Sequence, residues 1–398
     1  MNDTLQQLMH EATQLTRAGK LTEATEAIQR VLRGRANRPA DSAARAAGSA
    51  SSTAQAHSDT AALVLDGCVF ETDSAAAELT DRPTPVPSPI PPAPRPASGQ
   101  FGGGSHAHGS LTRRYKLYMP PNAAAASLPL VVMLHGCTQN ADDFAAGTDM
   151  NERARAQGFF VLYPEQSHDA NPSRCWNWFK HNHQRRDSGE PALIASLTRA
   201  VIAEHGIDAR RVYVAGLSAG GAMAAIVAAT HPDLFAAAGV HSGLPCGAAS
   251  NVSEALAVMN TGTTGGGMAT KTARAPAIPT PPGAAVPTIV FHGDQDRTVH
   301  PRNGEQLVKA ALAAKSLVAK DATTAHVEQG CSAHGQRYTR SVHRDDSGHT
   351  LAEHWLLHGA GHAWSGGRTE GSYTDANGAD ASGEMLRFFF EHPLRRTH

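Results

Sequence analysis

Residues 211–224 read RVYVAGLSAGGAMA and indicate both a fold and a chemistry. An apolar run typical of a buried strand leads into GLSAG at 216–220, and small helix-forming residues follow. Glycines on both sides of Ser218 allow a sharp strand–turn–helix junction that exposes the serine hydroxyl. The N-terminus of the following helix favours negative charge beside that hydroxyl. We predict that Ser218 is a nucleophile; the alternative is an ordinary turn in which Ser218 only caps the helix.

Strand-like and helix-like segments alternate from about residue 111 onward. The strand-like runs are TRRYKLYMP, LVVMLHG, FFVLYPE, RVYVAGLS, AAAGVHSG and PTIVFHG, separated by helical stretches such as PALIASLTRAVIAEHG. Near-continuous apolar strands between helices predict a mostly parallel sheet covered on both faces. Residues 336–359 predict an antiparallel strand pair, and Asp380 or Ser382 is expected to cap a final helix. A Gly-, Thr- and Pro-rich segment at about 248–285 is interpreted as an inserted loop near the site.

A serine nucleophile needs a base, and the base needs a carboxylate that orients it. After the strand PTIVF, residues 292–299 read HGDQDRTV and offer two aspartates. A strand end followed by a short turn places both near the nucleophile. Asp296 is the predicted acid because its spacing matches an HGxxDxxV pattern, and Asp294 is the alternative.

The base must be chosen among 22 histidines, and position decides. Residues 360–367 read AGHAWSGG and form a glycine-rich loop between the last strand and the final helix. In chains that order the triad as Ser, acid and His, the base lies on such a loop. We predict His362 as the base, with His358 as the alternative.

Two backbone N–H groups are expected to bind the oxyanion of the tetrahedral intermediate. One belongs to Ala219, directly after the nucleophile. The other lies in the loop after LVVMLHG, where Cys137 is the first candidate and Thr138 the next. Any residue except proline can supply a backbone N–H, so the type of side chain does not identify these donors, and the assignment rests on position alone.

Composition excludes several classes of protein. The 35 Lys and Arg residues against 36 Asp and Glu residues give a formal charge of −1, whereas a nucleic-acid-binding protein needs a basic excess or stripe. No apolar run approaches the roughly 18 residues of a membrane span. The first residues, MNDTLQQLMHEATQLTRAG, lack the basic and apolar regions of a secretory signal. A cytoplasmic protein is therefore expected.

The five cysteines do not suggest a disulfide scaffold or a zinc site, because none stands in a CxxC pair. No metal or organic cofactor is expected. Reduced thiols are the default without a secretory signal. If oxidised, Cys175 could pair with Cys137, and Cys246 with Cys331.

The first hundred residues differ from the rest. Residues 1–33 repeat apolar positions at helical spacing and predict a helical hairpin joined at Gly19. Its apolar side would pack on the main domain or a second subunit, or dock on a granule surface or partner. Residues 34–105, which include DRPTPVPSPIPPAPRPASGQFGGGS, predict a disordered linker. The catalytic domain is expected at 106–396.

The ordered motifs LHGCTQ, CWNWF, GLSAGGAMA, FHGDQDRTV and GAGHAWSGG resemble the poly(3-hydroxybutyrate) depolymerase family of esterases over about residues 105–395. The resemblance implies an α/β-hydrolase fold with Ser218, Asp296 and His362 as a triad and no cofactor. That family is similar in sequence to feruloyl and acetyl xylan esterases. Many of its members are secreted, which makes an extracellular location the alternative.

Aromatic residues near these motifs raise the question of substrate contact. Trp176 and Trp178 of the CWNWF motif, and Trp364 beside His362, are candidate substrate-binding residues. For the two tryptophans of CWNWF, the alternative is a buried anchor for the loop, since Trp packs well and finds a partner for its N–H.

These features together predict a serine esterase that hydrolyses polyhydroxybutyrate-type polyesters or their oligomers through an acyl-enzyme. The alternative within the same class is a feruloyl or acetyl xylan-type carboxylesterase. A serine peptidase would use the same triad. The alternative from another class is a non-catalytic protein that binds a granule or a partner.

Overall fold

The computed structural model describes residues 98–121, 123, 127–262, 286–316 and 324–394. The helical hairpin expected at 1–33 and most of the expected linker lie outside the described residues. Within the described residues, no helix is long and apolar enough to cross a membrane.

A ten-stranded sheet and seven helices account for most of the described chain. The strands are β1 Gln100–His108, β2 Leu111–Met119, β3 Leu130–Leu134, β4 Phe160–Pro164, β5 Val212–Leu217, β6 Ala237–His241, β7 Thr288–Gly293, β8 Thr324–Cys331, β9 Arg337–Arg344 and β10 Thr350–Leu357. A separate two-stranded sheet pairs β11 Trp364–Ser365 with β12 Thr374–Asp375. The helices are α1 Ala141–Thr148, α2 Met150–Gln157, α3 Gly189–His205, α4 Ala219–Thr230, α5 Val252–Thr261, α6 Arg302–Ser316 and α7 Ala381–Phe390.

The strand order of the large sheet is β1-β2-β4-β3-β5-β6-β7-β10-β9-β8. The six strands from β4 to β10 in this order run parallel. Antiparallel strands flank them on both sides. The sequence predicted this mostly parallel sheet because its central strands are apolar at nearly every position, as strands covered on both faces must be. All five residues of β3 are buried.

Successive side chains of each strand enter opposite layers of the core. Val132 packs with α3 and α4, through residues such as Ile194 and Met223. The neighbouring Val131 packs with α1 and α7, through residues such as Phe144. The sheet is therefore covered by helices on both faces, and the ends of its central strands lie between the two layers.

Two boundaries differ from the sequence-based expectation, and an alternative left open for a third is resolved. Strand β1 begins at Gln100, inside the segment expected to be linker, because its residues pair along their whole length with β2. The segment at 248–285 is not only a loop, since α5 occupies its first part and the Asn251 side chain accepts the Glu254 N–H there. Asp380, rather than Ser382, caps α7 by accepting the Gly383 N–H.

Candidate active site

Ser218 lies in a tight turn between β5 and α4, at the end of a central strand. Its backbone has φ 58° and ψ −120°, a conformation that costs a non-glycine residue about 1–3 kcal/mol. The turn holds because its glycines let backbone approach backbone. A Cβ on Gly216 would lie 2.7 Å from the carbonyl oxygen of Leu134, and one on Gly220 would overlap that same oxygen. The side chain of Ser218 is thereby held, half-buried, beside the loop that follows β3.

The structure joins the predicted acid to the predicted base. Oδ2 of Asp296 lies 2.7 Å from Nδ1 of His362, and the other carboxylate oxygen accepts the N–H groups of Thr298 and Val299 at 2.9 and 2.8 Å. Burial alone would raise the pKa of Asp296, but hydrogen bonds from His292 and His362 outweigh it and hold the pKa well below its usual value. The carboxylate is therefore charged at neutral pH and can orient the imidazole.

The competing aspartate binds the competing histidine. Oδ2 of Asp294 lies 3.0 Å from Nδ1 of His358, and its Oδ1 accepts the Gly359 N–H at 2.8 Å. The other ring nitrogen of His358 lies 2.8 Å from Oγ1 of Thr339. This second Asp–His pair ties the turn after β7 to the end of β10, and neither member contacts the Asp296–His362 pair through a hydrogen bond.

His241 links the nucleophile turn to the loop that carries the base. Its carbonyl accepts the Ser218 N–H at 2.9 Å, and its Nε2 accepts the Ser365 N–H at 3.0 Å. The ring stacks on Phe291 and Trp364. Burial, with the nearby charges of other histidines, lowers the pKa of His241 to about 3, so the ring is neutral and can accept. Sequence reasoning missed this residue, because β6 shows only an apolar strand.

His241 connects Ser218 to the loop of His362, but within the described residues no hydrogen bond joins Ser218 to His362 itself. Catalytic hydrogen bonds are often long without substrate and shorten when it binds. The structure thus bonds Asp296 directly to His362, whereas Ser218 follows β5 and is connected to the loop of His362 through His241, at the end of the intervening strand β6.

The loop after β3 distinguishes the two candidates for the second oxyanion donor. The Thr138 N–H donates to the carbonyl of Ser173 at 2.7 Å and is therefore occupied. Among the described residues, no acceptor engages the N–H of Cys137. Ala219 is the first residue of α4, where an N–H has no partner within the helix. These observations favour Cys137 over Thr138 as the partner of Ala219.

A disulfide fastens this oxyanion loop to the CWNWF segment. Cys137 pairs with Cys175, whereas Cys246 and Cys331 are free. Gln166 adds a polar connection. Its side chain donates to the Cys175 carbonyl at 3.0 Å, and its backbone N–H donates to the ring of His135. Movement of one loop must therefore move the other.

Glu190 is the buried centre of a polar cluster beneath these loops. Its carboxylate accepts hydrogen bonds from the side chain of Gln166 at 2.6 Å and from the Asn177 backbone N–H and side chain at 2.8 Å each. Arg113 lies 3.3 Å away. Burial would raise the pKa of Glu190, but the partners, including His183, keep it below its usual value. This residue at the start of α3 holds the CWNWF segment in place, and no motif in the sequence indicated it.

Glu190→Ala is expected to destabilise the protein by about 3–5 kcal/mol, because Arg113 would remain buried without its partner. Urea unfolding followed by tryptophan fluorescence measures this. Glu152→Ala, which breaks the exposed pair with Arg155, serves as the control and should cost less than about 1 kcal/mol. Equal losses in the two variants would show that the buried cluster contributes no special stability.

The three tryptophans expected to bind substrate are buried. Trp176 and Trp364 are fully buried and Trp178 is 5% exposed. Trp364 packs edge-on against Phe144 and donates from Nε1 to the Ser382 hydroxyl at 3.0 Å. The expectation of direct substrate contact is thus wrong for this arrangement. Each ring is large and apolar enough to be drawn into the core. The alternative of a buried anchor describes Trp176 and Trp178, although the Nε1–H of Trp176 has no hydrogen-bond partner among the described residues.

An aromatic residue that the sequence did not single out lies at the rim instead. Tyr373 is 48% exposed, and its backbone has φ 54°, which costs an L-residue roughly 1–2 kcal/mol. Its hydroxyl lies 3.2 Å from Oγ1 of Thr138. The only sequence signal was its place between the base loop and the final helix.

Comparison with known proteins identifies the family of the chain. Residues 113–332 match the family described as "Esterase PHB depolymerase". The poly(3-hydroxyalkanoate) depolymerase C of Paucimonas lemoignei is 34% identical over 199 residues, which are 48% of this chain and 45% of that protein. A probable acetylxylan esterase A of Aspergillus clavatus is 30% identical over 199 residues, which are 48% of this chain and 62% of that protein. The chain therefore spans about half the length of the curated relatives it matches.

A solved structure shares the fold. An acetyl xylan esterase from Aspergillus awamori aligns with a TM-score of 0.52 at 20% identity, over 70% of this chain and 94% of that chain. At this identity the likeness concerns the fold alone, and it confirms the fold class predicted from the sequence.

Proposed function

Because the chain belongs to the PHB depolymerase family of esterases, we propose that it is a serine esterase that hydrolyses polyhydroxybutyrate-type polyesters or their oligomers. The observation that carries this proposal is the Asp296–His362 hydrogen bond of 2.7 Å, formed beside the strained turn of Ser218. A nucleophile, a base and an orienting carboxylate are the parts that acyl transfer requires.

The proposed reaction follows from the placement of these groups. The Ser218 hydroxyl attacks the ester carbonyl while His362 takes its proton, and Asp296 fixes the imidazole tautomer and stabilises the imidazolium. The N–H groups of Ala219 and Cys137 bind the oxyanion. His362 then gives the proton to the departing alkoxide, which leaves an acyl-enzyme on Ser218. Water, activated by His362, hydrolyses that intermediate and restores the free enzyme.

Acetyl xylan esters are the second candidate substrate class. A relative with 30% identity is described as a probable acetylxylan esterase. Both candidates need the same triad and oxyanion donors, so the choice between them depends on the surfaces around the site.

A hydrolysis panel tests the proposal: p-nitrophenyl butyrate, hydroxybutyrate oligomers, amorphous polyhydroxybutyrate granules, acetylated xylan, methyl ferulate and a peptide p-nitroanilide. Turnover of the oligomers and granules is expected to exceed that of acetylated xylan and ferulate. Preference for acetylated xylan or ferulate would show instead that the protein is a carboxylesterase of the acetyl xylan or feruloyl type. A non-catalytic binding protein would turn over none of these compounds, and a peptidase would prefer the anilide.

The N-terminal region is proposed to act at a granule surface or in self-association rather than in catalysis. None of its residues is assigned to the chemistry, and its Pro- and Gly-rich composition is typical of a linker. An apolar helical stripe, if uncovered, usually marks an interaction surface.

A chain that starts at Ser98 is expected to hydrolyse p-nitrophenyl butyrate with kcat/KM within about threefold of the full-length value, since the Pro- and Gly-rich composition before it is that of a segment that allows independent motion. Binding to amorphous granules, measured by sedimentation, should weaken, or the mass from light scattering should fall. A large loss on the soluble ester would show that the first 97 residues support the active site, and would refute the linker interpretation.

The compartment remains a prediction. The Cys137–Cys175 disulfide is of a kind that persists in oxidising compartments, whereas a cytoplasmic location would keep both thiols reduced. We propose to decide between the two by thiol alkylation of the protein in its own cells before lysis, because a cytoplasmic protein would be labelled at both cysteines.

A further inference from the structure

Tyr373 lies between the two loops that hold the base and the proposed oxyanion donor. Its carbonyl accepts the Trp364 N–H at 2.7 Å, two residues from His362. Its hydroxyl lies 3.2 Å from Oγ1 of Thr138, which follows Cys137. Because nearly half of its side chain is exposed, an aromatic ring stands open to solvent beside both loops.

The backbone that presents this ring is fixed from below. The N–H and hydroxyl of Ser372 donate to the carboxylate of Asp143 at 2.8 and 2.6 Å. The side chain of Gln139 donates to the Ser372 carbonyl at 3.1 Å. A left-handed backbone persists at a bulky residue only where its surroundings determine it, and such residues cluster at ligand-binding sites. The ring of Tyr373 is therefore held at the rim and does not fold into the core as the four tryptophans do.

Ester cleavage determines which part of the substrate meets this ring. The alkoxide leaves toward His362, because that imidazole must protonate it. The carbonyl of Tyr373 accepts the N–H of Trp364 in the strand that follows His362, so the backbone that carries the ring is attached to the loop of the base, toward which the alcohol departs. We propose that Tyr373 contacts the alcohol portion of the ester and helps to select it. In a 3-hydroxyalkanoate chain that portion is the next hydroxyacyl unit, and in this respect the inference rests on the proposed function.

Two acetates separate recognition of the alcohol from the chemistry of cleavage. Methyl 3-acetoxybutanoate and isopropyl acetate share the acetyl group and a secondary alkoxide leaving group, and differ in the ester-bearing arm of the alcohol. Acetate release, quantified by chromatography so that cleavage of the methyl ester is not counted, gives kcat/KM for each. The wild-type protein is expected to prefer methyl 3-acetoxybutanoate, and Tyr373→Ala should reduce that preference by about tenfold, the usual effect of one apolar contact in a substrate pocket.

Two further variants complete the design. Tyr373→Phe keeps the ring and should keep most of the preference. Val327→Ala removes a side chain of comparable exposure, 58%, on the edge strand β8, and should leave both the preference and the basal activity unchanged. Thermal unfolding of each variant verifies that the fold is retained.

Three results would overturn the inference. An equal loss on both acetates in Tyr373→Ala would show that the ring only supports the loops, and unchanged kcat/KM values on both acetates would show that the ring contacts no alcohol. A change confined to the ratio of ethyl butanoate to ethyl acetate would place the ring at the acyl group instead. If the wild-type protein cleaved none of these esters, the proposed function itself would fall, and that outcome is recognisable without any variant.

Discussion

Ser218→Ala is expected to lower kcat for p-nitrophenyl butyrate by a factor on the order of 10⁶, because the nucleophile of an acyl-enzyme mechanism is removed. Residual turnover would come from the oxyanion donors and from substrate positioning, which survive the change. Initial rates at saturating substrate measure the effect. The fold should be retained, since a small side chain replaces another in a turn held mainly by Gly216 and Gly220.

The same experiment identifies the nucleophile independently of the substrate. A fluorophosphonate probe should label the wild-type protein once, at Ser218, and should not label Ser218→Ala. His362→Ala should be nearly as damaging, and the double variant little worse, because the members of a triad act as a unit. Covalent labelling at another serine would contradict the assignment, and so would a double variant with losses that multiply.

The parts of the fold that the sequence predicted well are those fixed by local pattern. The apolar runs of the central strands require burial on both faces, and the parallel sheet follows from their alternation with helices. Strand β1, read as linker, was less predictable. Its residues QFGGGSHAH look flexible, and they become ordered only because β2 offers a partner along its whole length.

The residues of the candidate site likewise fall into those that a local sequence pattern indicates and those that only the folded chain reveals. Asp296 and His362 follow from chain order and from loop position, and the sequence could rank them above Asp294 and His358. Glu190 could not be found, because its partners lie on separate segments that are distant in the sequence. Burial of Trp176 depends on which segments pack around it in the folded chain, and no local sequence pattern indicates that packing. Tyr373 is set apart by its backbone angle and exposure, both properties of the folded chain.

Asp296→Asn is expected to lower kcat by about 10⁴, because the amide would hold His362 in the wrong tautomer and could not stabilise the imidazolium. The matched control is Asp294→Asn, at the other Asp–His pair of the same turn. Its hydrogen bonds go to His358 and Gly359, so that variant should lose stability but retain most of its kcat. Parallel kcat and urea-unfolding measurements on both variants separate the two roles, and reversed results would exchange them.

The pH dependence of stability gives a second readout for the same pair. The folded pKa of Asp296 is depressed, so its ionised form stabilises the native state at any pH above the unfolded pKa of about 3.9. That contribution is lost as the pH falls through the folded pKa. Asp296→Asn lacks it at every pH, so the gap in unfolding free energy between wild type and variant should be wide at about pH 7 and should narrow in acid. A gap independent of pH would mean that the carboxylate charge contributes nothing to the fold, and that hydrogen-bond geometry alone holds the acid against His362.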